Sequence, residues 1–182
     1  MKNIDLKIKV SKPFGNLIRK KSTLIVVEAN REVFLVGAKP QQYPPTITRL
    51  LGGGVDDGEP ENLAVKRELY EELGVQLDES QITGLFIVKV RAEDDEGNSY
   101  NPEVHVYYAD IGSASYRPGD DVKEIVKLTL DGLYKLGEAY EALPETLWYN
   151  GPEGVYSWRD YAKLYGPVHK LCAEAVKALK AK

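Results

Sequence analysis

The chain has 182 residues, 43% hydrophobic and 29% charged, which is ordinary globular composition and long enough for a full core. Its formal net charge of −4 gives no electrostatic footprint for duplex nucleic acid. The single cysteine, Cys172, excludes an internal disulfide. With no run near the ~18 apolar residues of a membrane span and no signal peptide at MKNIDLKIKV, the expectation is a cytoplasmic protein with no membrane partner.

Residues 5–10 alternate polar and apolar and read as a strand, an edge strand by its lysines. Two apolar runs, residues 22–28 and 32–37, are separated by Ala29, Asn30 and Arg31, which predicts a hairpin. A proline-punctuated loop at 40–45 precedes a short strand at 46–51. The next predicted element is a helix over 60–73. Pro60 suits its first turn, Glu59 and Glu61 complement its positive end, and Leu63, Ala64, Leu69 and Leu73 form its apolar stripe; Gly74 caps it.

Strands are predicted at 85–91 and 104–111, joined by an acidic loop at 92–102, and again at 120–130. A helix at 133–143, an aromatic, turn-rich stretch at 144–158 and a helix at 158–180, with a break or kink at Gly166-Pro167, complete the chain. Strands and helices mix without strict alternation. That favours mixed α/β, with helices packed on a sheet, over a doubly wound fold. The simplest organisation is one domain, 1–182, whose residues from about 131 to 182 form a helical C-terminal extension.

The most informative segment is residues 53–75, GGVDDGEPENLAVKRELYEELGV. On a helix Glu68 and Glu72 stand one turn apart with Glu71 beside them. Like charges at that spacing cost about 0.2–0.5 kcal/mol per pair. Such a cluster suits hard divalent cations, which take oxygen ligands from carboxylates, water and phosphates. Gly52, Gly53 and Gly54 let the backbone bend close to a ligand, and a carbonyl there could complete a metal shell. Arg67, on an adjacent face, could pair with Glu59 and pin the loop to the helix. Without the rest of the segment, a solvated acidic helix face would be the better account of these acids.

Gly53, Glu59, Arg67, Glu68, Leu69, Glu71, Glu72, Gly74 and Val75 resemble the complete signature of the Nudix hydrolases, every fixed position matching. The resemblance implies a Nudix-like α/β/α sandwich with a mixed sheet. It also implies Mg2+-dependent (or Mn2+-dependent) hydrolysis of a phosphoanhydride bond in a nucleoside diphosphate linked to another group. A nucleotide sugar such as ADP-ribose, a nucleoside triphosphate and a dinucleoside polyphosphate all stay open. By position it assigns metal binding to Glu68, Glu71, Glu72 and the Gly52 carbonyl, and catalysis to Glu71 and Glu72. Glu59 and Arg67 become structural supports. The family's general base often lies outside the signature; Asp120, Asp121 and Glu124 are the candidates here, Glu124 preferred, with Glu103 weaker. Related enzymes often pair through N-terminal strands, so the KIKV segment leaves a homodimer open.

Two other classes bear on the same residues. Isopentenyl-diphosphate isomerases share that fold but need a catalytic cysteine and additional metal-binding histidines, whereas this chain has only Cys172, late in a helix, and two histidines, so that reading is poor. A non-catalytic nucleotide-binding or regulatory protein of the same fold would commonly lose one of the acids, and all are present. Arg49, Gly53 and Gly54 are candidate substrate contacts, Arg49 being equally readable as a surface residue ending a strand. His105 reads as a partly buried sheet histidine, His169 as a helix-surface residue and Cys172 as a buried thiol. The aromatics Trp148, Tyr149, Tyr156 and Trp158 are read as packing the C-terminal helices rather than stacking a nucleobase, and KALKAK as a solvated tail.

Overall fold

The computed structural model describes residues 1–11, 20–38, 44, 47–119, 122–151 and 154–181. Its centre is a mixed sheet in the order β1-β4-β6-β2-β3-β7, built from β1 (Lys2–Val10), β2 (Lys21–Ala29), β3 (Val33–Ala38), β4 (Ile82–Asp94), β6 (Glu103–Gly112) and β7 (Glu124–Leu128). A short β5 (Ser99–Tyr100) pairs with β4. The β1–β4 and β2–β6 pairs are parallel, the other pairs antiparallel. β1 lies at the sheet edge, as its alternation predicts.

β2 is buried on both faces, which its continuous apolar run required. Leu24 and Val26 point into one core with Phe34, Val88 and Val106. Ile25 and Val27 point into a second core with Leu35, Tyr107 and Ala109. Helix α1 (Glu61–Leu73) closes the second core with Val65, Leu69 and Leu73. Helices α2 (Leu130–Glu141) and α3 (Trp158–Lys180) close the first with Leu133, Tyr140, Leu164, Val168, Cys172 and Val176. The expected α/β/α sandwich is the arrangement observed. Among the described residues no helix is long and apolar enough to cross a membrane.

Several boundaries differ from the sequence reading, each for a local reason. The strand expected at 46–51 is reduced to isolated bridges, Gly37 with Arg49 and Ile25 with Leu51, because the backbone turns sharply at Gly52. The 92–102 loop is shorter, since β4 runs on to Asp94, whose carboxylate organises a tight hairpin through Glu96, Asn98 and Tyr100. The strand expected over 120–130 spans Glu124–Leu128, and Asp120 and Asp121 lie outside the described residues. α2 starts three residues early because Thr129 caps it, its side chain accepting from Gly132 N at 3.0 Å. The aromatic stretch folds as a hairpin of β8 (Trp148–Gly151) and β9 (Gly154–Ser157). α3 runs unbroken through Pro167.

Tyr149 and Tyr156 of this hairpin form a stacked and edge-on cluster with Trp158 and Tyr161 of α3, so the packing account holds for Tyr149, Tyr156 and Trp158. Trp148, expected to pack with them, is exposed instead. Lys177, Ala178, Lys180 and Ala181 are exposed, as a solvated tail would be. Lys180 reaches back, its ammonium pairing with buried Glu28 at 2.6 Å and lying over the Phe34 ring.

Candidate active site

Helix α1 turns Ala64, Val65, Glu68, Leu69, Glu72 and Leu73 inward. Four are apolar, and the other two are carboxylates in a place where ionised groups need partners. The glycine loop supplies them. Gly52 N–H donates to Glu72 Oε2 at 2.6 Å, and Arg49 approaches Glu72 Oε1 at 3.7 Å. Gly53 lies so close to Glu68 that a Cβ would sit 2.6 Å from its Oε1.

Arg67 ties the remaining acids together. Its Nε and Nη2 donate to the two oxygens of Glu59 at 3.0 and 2.9 Å, and Nη2 also donates to Gly54 O at 2.9 Å. Its Nη1 donates to Glu68 Oε1 at 2.8 Å and Glu71 Oε2 at 3.2 Å. The expected Arg67–Glu59 pairing is thus present, and the loop is pinned to the helix. The Arg67 hydrogen bond holds the Glu59 carboxyl below its usual range. Glu68 moves the other way: burial raises it, the Arg67 bond only partly opposes this, and the Glu72 and Glu71 charges raise it further.

The loop is shaped by one backbone requirement. Gly52 has φ +117°, and its α-carbon faces β2 so closely that a side chain would strike Thr23 O. This aims the Gly52 carbonyl toward Arg49, whose Nη2 donates to it at 2.6 Å. Arg49, read from the sequence as a substrate contact or a surface group, is therefore drawn inward beside Gly52 and Glu72. Glu124 stands at the exposed start of β7, paired with Ala38. Glu103 pairs with His105 at 3.1 Å on β6; His105 is a buried sheet histidine, as expected.

Oxygen donors from one helix face and one glycine carbonyl are the ligand chemistry of Mg2+ or Mn2+. Glu68, Glu71 and Glu72 on one helix and the Gly52 carbonyl beside them are such donors, so these residues fit that kind of ion. Among the described residues no three acids or imidazoles already converge on one point, because Arg67 spans the gap between Glu68 and Glu71. At the C-terminal end of α1 a cavity of about 550 Å3 is lined by Tyr70, Glu71, Tyr116 and Arg117, so a helix acid forms part of its wall.

Sequence reasoning missed one residue here. His169 is fully buried rather than on the helix surface, accepting the Leu50 N–H at Nε2. Its spacing from Tyr165, Cys172, Ala173 and Val176 placed it on the apolar stripe of α3, which was the available signal.

Buried carboxylates on a sheet-packed helix, facing a glycine turn, define an α/β-sandwich enzyme. The family model described as the NUDIX domain matches residues 18–149, most of the chain. An Ap4A hydrolase from C. elegans, solved as a binary complex, is similar with TM-score 0.56 and 18% identity, over 90% of this chain and 98% of that one. A MutT NUDIX hydrolase from Burkholderia pseudomallei is similar with TM-score 0.50 and 25% identity, over 70% and 88%. A mutator MutT protein from Bacillus halodurans gives 0.53 and 19%, over 65% and 73%. No curated protein sequence matches. The chain belongs to the Nudix family, as a pyrophosphohydrolase.

Proposed function

We propose that the protein hydrolyses a phosphoanhydride bond in a nucleoside diphosphate linked to a further group, a nucleotide sugar such as ADP-ribose or a nucleoside triphosphate, with Mg2+ or Mn2+. The observation that carries this reading is the burial of Glu68 and Glu72 against Gly52 and Gly53, inside an otherwise apolar helix face. Burying two carboxylates on an apolar helix face costs free energy, which a bound cation would offset beyond what Arg67 and the Gly52 N–H supply.

In this reading Glu68, Glu71, Glu72 and the Gly52 carbonyl hold the metal, and Glu59 and Arg67 fix their geometry. When bound, the metal neutralises phosphate charge and acidifies water. Arg49 adds a cation beside the Gly52 carbonyl, and Gly53 and Gly54 let the backbone approach the phosphates. Glu71 is the most solvent-exposed of the three helix acids and serves with Glu72 in catalysis. Glu124, as general base, would take the attacking water's proton from the start of β7. The cavity beside Glu71 suits the nucleoside, since tyrosine rings can stack on a base and Arg117 can meet an anionic group. The whole chain, 1–182, acts as one domain, because α2 and α3 cover a full face of the sheet.

The test is a panel of nucleotide sugars, nucleoside triphosphates, dinucleoside polyphosphates and capped RNA, with the nucleotide products separated and quantified. It is run with Mg2+, with chelator, and with Glu71→Gln. At least one compound should turn over, chelator should stop it and Mn2+ or Mg2+ should restore it. Losing a ligand worth several kcal/mol should lower kcat at least about 100-fold in Glu71→Gln. Chelator-resistant turnover, or full activity in that variant, would remove the metal role; a silent panel would favour a binding protein.

A further inference from the structure

The glycine loop is tethered from a second side, by helices on the opposite face of the sheet from α1. Tyr140 of α2 donates its hydroxyl to Thr48 O at 2.9 Å. His169 of α3 accepts the Leu50 N–H at Nε2, 3.3 Å away, while Nδ1 faces Tyr165 O at 2.6 Å and so carries the proton. The two rings stack with centroids 4.8 Å apart and planes 24° from parallel. Burial holds the His169 pKa down to about 4, which keeps Nε2 an acceptor at neutral pH.

Arg49 lies between the two tethered residues. Its backbone is paired to Gly37 in both directions, and its guanidinium donates to Gly52 O while reaching Glu72. A shift of Leu50 would therefore move the group that touches both a candidate ligand carbonyl and a helix acid. α3 lies beyond the residues the family model matches, so this contact comes from outside the matched region.

We infer that His169 is a positioning residue for the proposed hydrolysis: by accepting the Leu50 N–H, it fixes the segment that holds Arg49 against the Gly52 carbonyl and Glu72. The inference rests on the reading of Gly52 and the α1 acids as the reaction site. His169→Phe keeps a flat ring against Tyr140 but leaves the buried Leu50 N–H without its acceptor. His169→Gln places an amide oxygen near the Nε2 position.

The experiment compares wild type with these variants in the full chain. It measures amide hydrogen exchange at Leu50 in substrate-free protein, Mn2+ affinity by calorimetry, and kcat and KM on a substrate from the panel. An unsatisfied buried N–H predicts Leu50 exchange about tenfold faster in His169→Phe, kcat lower by about the same factor with KM little changed, and weaker Mn2+ binding. His169→Gln should recover most of each loss. Wild-type exchange at Leu50 in His169→Phe, or equal impairment in both variants, would overturn the inference. If His169→Phe does not fold, Tyr140→Phe, which removes the hydroxyl bond to Thr48 O in the same segment, decides the matter. A lower kcat at steady KM supports the tether, and an unchanged kcat overturns it. Full activity in Glu71→Gln alongside altered Leu50 exchange would overturn the site reading alone, so the two failures are distinguishable.

Discussion

Replacing Gly52 by alanine tests the geometry of the loop most directly. The new Cβ would lie 2.4 Å from Thr23 O, 3.1 Å from Thr23 C and 3.2 Å from Leu24 Cα. Those atoms belong to β2, held between β6 and β3 and buried on both faces, so they cannot withdraw. The φ of +117° adds a backbone cost of about 1–3 kcal/mol for any L side chain, and forced overpacking adds about 1–3 kcal/mol. Together these give about 4 kcal/mol, a fall in Tm of roughly 8–16 °C for a chain of this size. Gly58→Ala is the matched control: φ is +83°, but nothing lies within 4 Å of the added carbon. Only the backbone term remains there, about 1 kcal/mol or roughly 2–4 °C. Thermal melts of both variants without metal measure the difference, and substrate hydrolysis should be lost only in Gly52→Ala, whose N–H and carbonyl meet Glu72 and Arg49. Equal melting temperatures for the two variants would refute the claim that β2 dictates the turn.

Two further outcomes follow from charge. Arg67→Ala strands Glu59, Glu68 and Glu71; because the group is part-exposed, the cost should be about 1–3 kcal/mol in urea denaturation, with Arg67→Lys recovering only part. Saturating Mg2+ should raise the Tm of Arg67→Ala more than that of wild type, since the ion takes over the missing cation's work, and an equal rise would contradict the shared-carboxylate geometry. At Asp94 burial opposes ionisation, but hydrogen bonds from Asn98, Tyr100 and Glu96 outweigh it and hold the pKa at about 2. A lowered carboxylate pKa stabilises above the unfolded value, so this contribution is full above about pH 4 and disappears as pH falls toward 2. Denaturation midpoints of Asp94→Asn should lack that part of the acid slope; an unchanged slope would assign it elsewhere.

The hairpin of β2 and β3 and the span of α1 were legible in the sequence because local patterning sets them: apolar runs, a proline at a helix start, a glycine at its end. The acids of 68, 71 and 72 were legible for the same reason, since residues one turn apart on a helix meet whatever the tertiary structure. The Arg67–Glu59 pairing spans eight residues, with Glu59 ahead of α1, and was legible only as opposite charges near the helix start. Tertiary structure alone decided where those acids face, and that Gly52 must turn because Thr23 stands behind it. It also decided that Arg49 bends inward to the Gly52 carbonyl, and that His169, 119 residues from Leu50, reaches the loop from the far face of the sheet. Contacts across such separations depend on how sheet and helices stack, and no local period or propensity encodes that stacking.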